Sequence, residues 1–173
     1  TYDYTKDDSG VRGAQMLTTN FRDPASPDSA PLPGRYDVRN GMPNVNETML
    51  SGTSLTATWK PNDNWTLKST TAYRESDTET YIDFDTLQSQ LTDVKAFYND
   101  EQLSQEFQSA YDAAGKSHGV FGVYWFKGRA GGLVQNIFLK GADIPPFFPN
   151  PPGPGFPGQF GDTRGDVDTK SIA

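Results

Sequence analysis

The sequence predicts an all-β chain, an antiparallel transmembrane β-barrel segment with long extracellular loops that forms part of a larger barrel. Three observations predict it. Several stretches alternate apolar and polar residues with period two. Aromatic content reaches 13% beside a hydrophobic content of only 34%. Short polar turns alternate with long irregular connections along the chain. Barrel strands show lipid only every second residue, so a chain of polar average composition suits them, and surplus aromatics suit interfacial girdles. A spanning helix needs about 18 consecutive apolar residues, and no such run occurs.

The elements follow in order. Residues 8–47 are rich in Asp, Asn, Ser, Pro and Gly without either period, and are expected to form one loop. Asn46-Glu47-Thr48 within it matches a glycosylation acceptor, a three-residue pattern that occurs by chance and receives no weight. A hairpin is expected over 50–84. Leu55, Ala57 and Trp59 alternate with Ser54, Thr56 and Thr58. After the polar turn Lys60-Pro61-Asn62-Asp63-Asn64, Trp65, Leu67, Ser69, Thr71 and Tyr73 alternate with Thr66, Lys68, Thr70 and Arg74. A second loop is expected over 86–100 and a second hairpin over 101–128. In the latter, Leu103, Phe107 and Tyr111 oppose Gln102, Ser104, Glu106 and Gln108, and the turn 112–118 leads into a strand apolar on both sides (Phe121, Val123, Tyr124, Trp125, Phe126). Residues 129–173, dense in Pro, Gly and Phe, are expected to be a loop. About four or five strands fit this length.

Chemistry is sparse. With no cysteine and one histidine, His118 in a turn, neither thiol chemistry, a histidine-based triad nor a multi-histidine metal centre can be assembled. An enzyme is therefore not expected, and neither a cofactor nor a metal is assigned. The net charge of -7 with scattered Lys and Arg excludes nucleic acid as the expected partner. Asp83 and Asp85, two apart at a strand end, could bind a cation or do acid-base work, but a solvated loop edge is the expected explanation. Arg164-Gly165-Asp166 matches an adhesion tripeptide and receives no weight. Trp59, Trp65, Tyr73, Phe107, Tyr111 and Trp125 are the expected membrane-interface aromatics. Lys68, Arg74 and Glu106 are the expected lumen- or ligand-facing residues. Phe147, Phe148, Phe156 and Phe160 are expected to contact ligand, neighbouring loop or partner.

Two stretches together resemble TonB-dependent outer-membrane receptors. The first runs from Ser54-Leu55-Thr56-Ala57-Thr58-Trp59-Lys60-Pro61 through Asn64-Trp65-Thr66-Leu67 to Thr70-Thr71-Ala72-Tyr73-Arg74. The second runs from Glu101-Gln102-Leu103-Ser104-Gln105-Glu106-Phe107 to Gly122-Val123-Tyr124-Trp125-Phe126. The resemblance covers residues 50–130. A plug domain, a TonB-binding box and a closing strand with a terminal aromatic have no counterpart here, so the chain reads as a fragment of such a barrel. The resemblance implies a Gram-negative outer-membrane location and uptake of a scarce nutrient such as a ferric siderophore or other small-molecule metal chelate. It further implies outer-membrane lipid as surroundings, and TonB with its inner-membrane energising complex as partners. The rival expectations are a soluble secreted or periplasmic β-sandwich binding module and an outer-membrane structural subunit without transport.

Overall fold

The computed structural model describes residues 1–10, 13–15, 17–18, 30–88, 90, 92–113, 117–138 and 159–173. These form six strands: β1 (Tyr2–Asp7), β2 (Asn46–Asn62), β3 (Trp65–Asp83), β4 (Thr92–Asp112), β5 (His118–Phe138) and β6 (Gln159–Ile172). They make one antiparallel sheet in the order β1-β2-β3-β4-β5-β6. Each strand pairs with its neighbour in sequence, and β1 does not pair with β6, so the sheet is open. No helix occurs among the described residues. The fold is all-β and consistent with a segment of a larger barrel.

The β2–β3 turn is tighter than the polar run suggested. Its tip is Asp63 and Asn64, because Asn62 Oδ1 accepts the amides of Asn64 and Trp65 at 3.0 and 3.1 Å and closes the bend with a side chain. The register shifts between Trp59 and Asn62, which absorbs Lys60 and Pro61 as an irregularity. Asn62→Ala removes both bonds, and an expected cost of about 1–2 kcal/mol is read from the midpoint of a urea titration. At the same end, β4 and β5 join through residues 113–117, whose start is tied by the Ala113 amide to the Ser117 carbonyl at 2.9 Å. The other end carries the connections 8–45, 84–91 and 139–158. Short turns at one end and longer connections at the other are the arrangement the sequence suggested.

Strand boundaries differ from expectation in five places. β2 starts at Asn46, inside the loop expected over 8–47. β1 occupies residues assigned to no element. β4 starts at Thr92, shortening the second loop to 84–91. β5 runs ten residues past Gly128 to Phe138, and β6 occupies the end of the presumed final loop, making six strands rather than four or five. These stretches carry polar residues on both faces, so no period-two signal marks them; ladder hydrogen bonds hold them extended, joined in β4 by the burial of Asp93 and Ala96.

Hydrophobic packing inside the sheet is almost absent. Among the described residues the buried hydrophobics are Met42, Leu87 and Ala96, beneath the long connections. Leu55, Trp59, Phe107 and Phe121 are 73%, 66%, 57% and 72% exposed. A water-soluble sheet of this size covers its apolar face with a second layer; no such layer lies among the described residues.

Candidate functional site

Register sorts every side chain onto one of two faces, because directly paired residues share a face and successive residues alternate. Cross-strand rows run Trp59, Leu67, Ser109, Phe121; then Ala57, Ser69, Phe107, Val123; then Leu55, Thr71, Gln105, Trp125, Ile172. The next row is Tyr2, Thr53, Tyr73, Leu103, Lys127, Lys170. All six expected interface aromatics, Trp59, Trp65, Tyr73, Phe107, Tyr111 and Trp125, therefore lie on this one face. Trp65 and Tyr111 touch beside the turns, their ring centroids 4.8 Å apart. The span from Trp65 to Tyr73 is nine residues, as is that from Leu103 to Tyr111, each matching the roughly 9–11 residues with which a tilted strand crosses a bilayer. Beyond the band the same face is mixed, with Glu75, Asp77, Glu79, Asn99, Glu101 and Arg129 beside Met49, Phe97 and Leu133.

Polar groups inside the band satisfy one another. Thr71 donates to Gln105 Oε1, and Gln105 Nε2 donates to Ser69 Oγ at 3.0 Å. That pairing is what a polar group facing hydrocarbon requires.

Lys68, Arg74 and Glu106 lie together on the opposite face, with Thr56, Thr70, Gln102, Ser104 and Gln108. Glu106 Oε1 accepts Gln108 Nε2 at 2.6 Å, and Thr56 and Thr70 are hydrogen-bonded across strands at 3.3 Å. Arg74 stands in a concavity of about 430 Å³ with Asp3, Ser76, Asp100, Gln102 and Phe126. Gly128 of the Arg74 row lines it, and Gly52 lies in the same row. A Cβ on Gly52 would lie 2.7 Å from Asp3 Oδ1, and one on Gly128 would lie 2.8 Å from Phe126 Cζ, so neighbouring side chains lean over both. Lys68 and Glu106 lie nearer the short turns, outside this concavity.

Asp3, Asp100 and Phe126 were not legible as site residues. Asp3 sits in a short strand without pattern. Phe126 belongs to a strand apolar on both sides, and only its register against β4 separates Phe121, Val123 and Trp125 from Val120, Tyr124 and Phe126. Phe147, Phe148 and Phe156 lie outside the described residues. Phe160 falls within β6, not in a loop, and its side chain lies outside what is described.

Asp83, Asp85 and Asp93 come together at the long-connection end, one carboxylate oxygen of each within 4.8 Å of the others. Such oxygens are the donors Ca²⁺ or Mg²⁺ takes. Here Asp83 and Asp85 bind backbone. Asp83 accepts the amides of Gly41 at 2.7 Å and Thr86 at 2.6 Å, and Asp85 accepts those of Leu87 at 2.8 Å and Thr92 at 2.6 Å. Asp83 and Asp85 are half-buried and Asp93 is buried, so this is not the solvated edge that the sequence allowed. The group ties residues 84–92 to the Gly41 segment. Asp83→Ala is expected to speed hydrogen exchange at the Gly41 and Thr86 amides by roughly tenfold to a hundredfold, the loss of a charged acceptor at each. Nearby, Lys95 Nζ lies 4.9 Å from the centre of the Tyr81 ring. The Tyr81 hydroxyl is held above its ordinary pKa by its hydrogen bond to Glu79, with partial burial and the charge of Glu79 adding.

A scan against protein-family models, a search of curated proteins and a search of solved structures returned no match.

Proposed function

We propose that the chain forms part of the wall and long loops of an outer-membrane transporter of the TonB-dependent kind, taking up a scarce nutrient such as a ferric siderophore. The observation that carries this reading is the division of the sheet. One face bears an apolar band nine residues deep with aromatics at its turn end, and the other bears hydroxyls, amides and charges. A tilted barrel strand has that division, with lipid outside and a wet lumen inside. The extreme exposure of the apolar face disfavours a β-sandwich module, whose inner face would be covered. Transport requires binding and release, not covalent chemistry. Arg74, in its concavity on the lumen face beside Asp3 and Asp100, offers a guanidinium that can hold a chelate's oxygen atoms, flanked by two carboxylates.

The test uses the protein that carries the peptide Ser69–Arg74. It is expected in the outer-membrane fraction of Gram-negative cells, with uptake of ferric chelates that stops when a protonophore collapses the inner-membrane gradient. Arg74→Glu is expected to lower that uptake roughly tenfold or more without changing the amount of protein in the membrane. Recovery of the protein in the soluble fraction, or uptake indifferent to the protonophore, would overturn the proposal.

A further inference from the structure

The apolar face ends toward the long connections in two like charges. Lys127 and Lys170 are directly paired across β5 and β6, one row beyond Trp125 and Ile172. Their row continues through Leu103 and Tyr73 to Thr53 and Tyr2, and contains no carboxylate. One row further out the pattern is different. Arg129 faces Glu101 on one side and Asp168 on the other, so two carboxylates flank one cation there. Like charges directly opposite one another destabilise a ladder, and an anion placed between them removes that repulsion. Both lysines are exposed. Their hydrocarbon stems can lie along the apolar rows while the ammonium groups sit at the band's edge.

The same face holds a second feature. Ala57, Trp59, Leu67, Phe107, Phe121 and Val123 line a shallow apolar groove of about 420 Å³. It opens between large side chains because Ala57 and Ser69 are small. Val123 is four residues from Lys127, roughly 13 Å along the strand. A ligand with an anionic head at the lysines and an apolar chain directed toward the turns would fill both. Glu101 and Asp168 close the head site from the outer side, so the anion docks at the lysine row and not beyond it.

We propose that Lys127 and Lys170 bind the phosphate of an anionic lipid, whose acyl chain lies along Trp125 and Val123 toward the groove beside Phe107. This rests on the membrane reading above. Juxtamembrane basic residues attract anionic lipid with about 1 kcal/mol each, so the pair corresponds to roughly 30-fold in affinity.

The full-length protein carrying this chain is inserted into phosphatidylcholine nanodiscs and titrated with phosphatidic acid bearing brominated chains, with quenching of tryptophan emission as the readout. Saturable quenching at low mole fraction is expected with phosphatidic acid and not with brominated phosphatidylcholine. Lys127→Gln with Lys170→Gln should weaken it roughly 30-fold, whereas Lys60→Gln, at the opposite end of the sheet, should leave it unchanged. Should the double variant fail to insert, Lys170→Gln alone supplies the comparison, with roughly fivefold weakening expected. Equal affinity in wild type and variants, or equal quenching by both lipids, overturns the lipid site while leaving the membrane reading in place. Displacement by inorganic phosphate at matched concentration shows a free-phosphate site and overturns the lipid assignment. Failure of the wild-type protein to insert overturns both readings.

Discussion

Replacing Phe107 with arginine is expected to lower the unfolding free energy of the membrane-inserted protein by about 2–4 kcal/mol, whereas Gln108→Arg, one residue on, is expected to change it by less than about 1 kcal/mol. The two positions share a strand and a depth and differ only in face. Phe107 lies in the middle of the apolar band, in the row of Ala57, Ser69 and Val123, and is 57% exposed. A guanidinium there must enter hydrocarbon or drag its strand toward the interface. Gln108 faces the other way, where its amide donates to Glu106, and an arginine would meet a carboxylate and water. Urea titration of both variants in the same vesicles measures the difference. Equal losses at the two sites would show that the faces do not differ in surroundings.

A polypeptide of these 173 residues alone is expected to fail as a monomer in lipid. Among the described residues, β1 and β6 each present an outer edge with no strand beside it. Water solvates such amides and carbonyls, but hydrocarbon does not, and each unsatisfied group there costs several kcal/mol. Across the band, where β1 and β6 reach only Tyr2 and Ile172, the open edges are those of β2 over 55–59 and of β5 over 119–123, and several such groups together exceed the whole stability of an ordinary domain, about 5–15 kcal/mol. Oligomers joined edge to edge, or aggregates, are the expected products. Cross-linking followed by denaturing electrophoresis reads the outcome, and a stable inserted monomer would contradict it.

The elements legible in the sequence were those in which one face differs from the other. Leu55 to Trp59, Trp65 to Tyr73 and Leu103 to Tyr111 alternate because the two sides of the sheet meet different surroundings, and period two records that difference. The same strands continue well beyond these stretches. Thr92–Asp100 and Gly128–Phe138 extend β4 and β5 with mixed residues on both faces, and β6 reads Asp162-Thr163-Arg164-Gly165-Asp166 with nothing to distinguish its sides. Ladder pairing holds them, and pairing partners are not written locally in a chain.

The candidate site was legible to the same degree. Arg74 and Lys68 were recognisable as polar-face cations from their own strand. Asp3, Asp100 and Phe126 join Arg74 only because β1, β4 and β5 align in register around it, which no single stretch reveals. The pairing of Lys127 with Lys170 is equally invisible, since 42 residues of chain lie between them and the register of β6 decides it.

The most direct test of the account is the solvent each face meets. Single cysteines placed in turn at positions 102 to 108 of the protein carrying this chain, reconstituted with lipid, spin-labelled and exposed to a lipid-soluble and a water-soluble relaxation agent, report it residue by residue. The account predicts lipid contact at 103, 105 and 107 and water contact at 102, 104, 106 and 108, alternating without a break. Water access at all seven positions would contradict it, and the apolar face would then belong against protein rather than membrane.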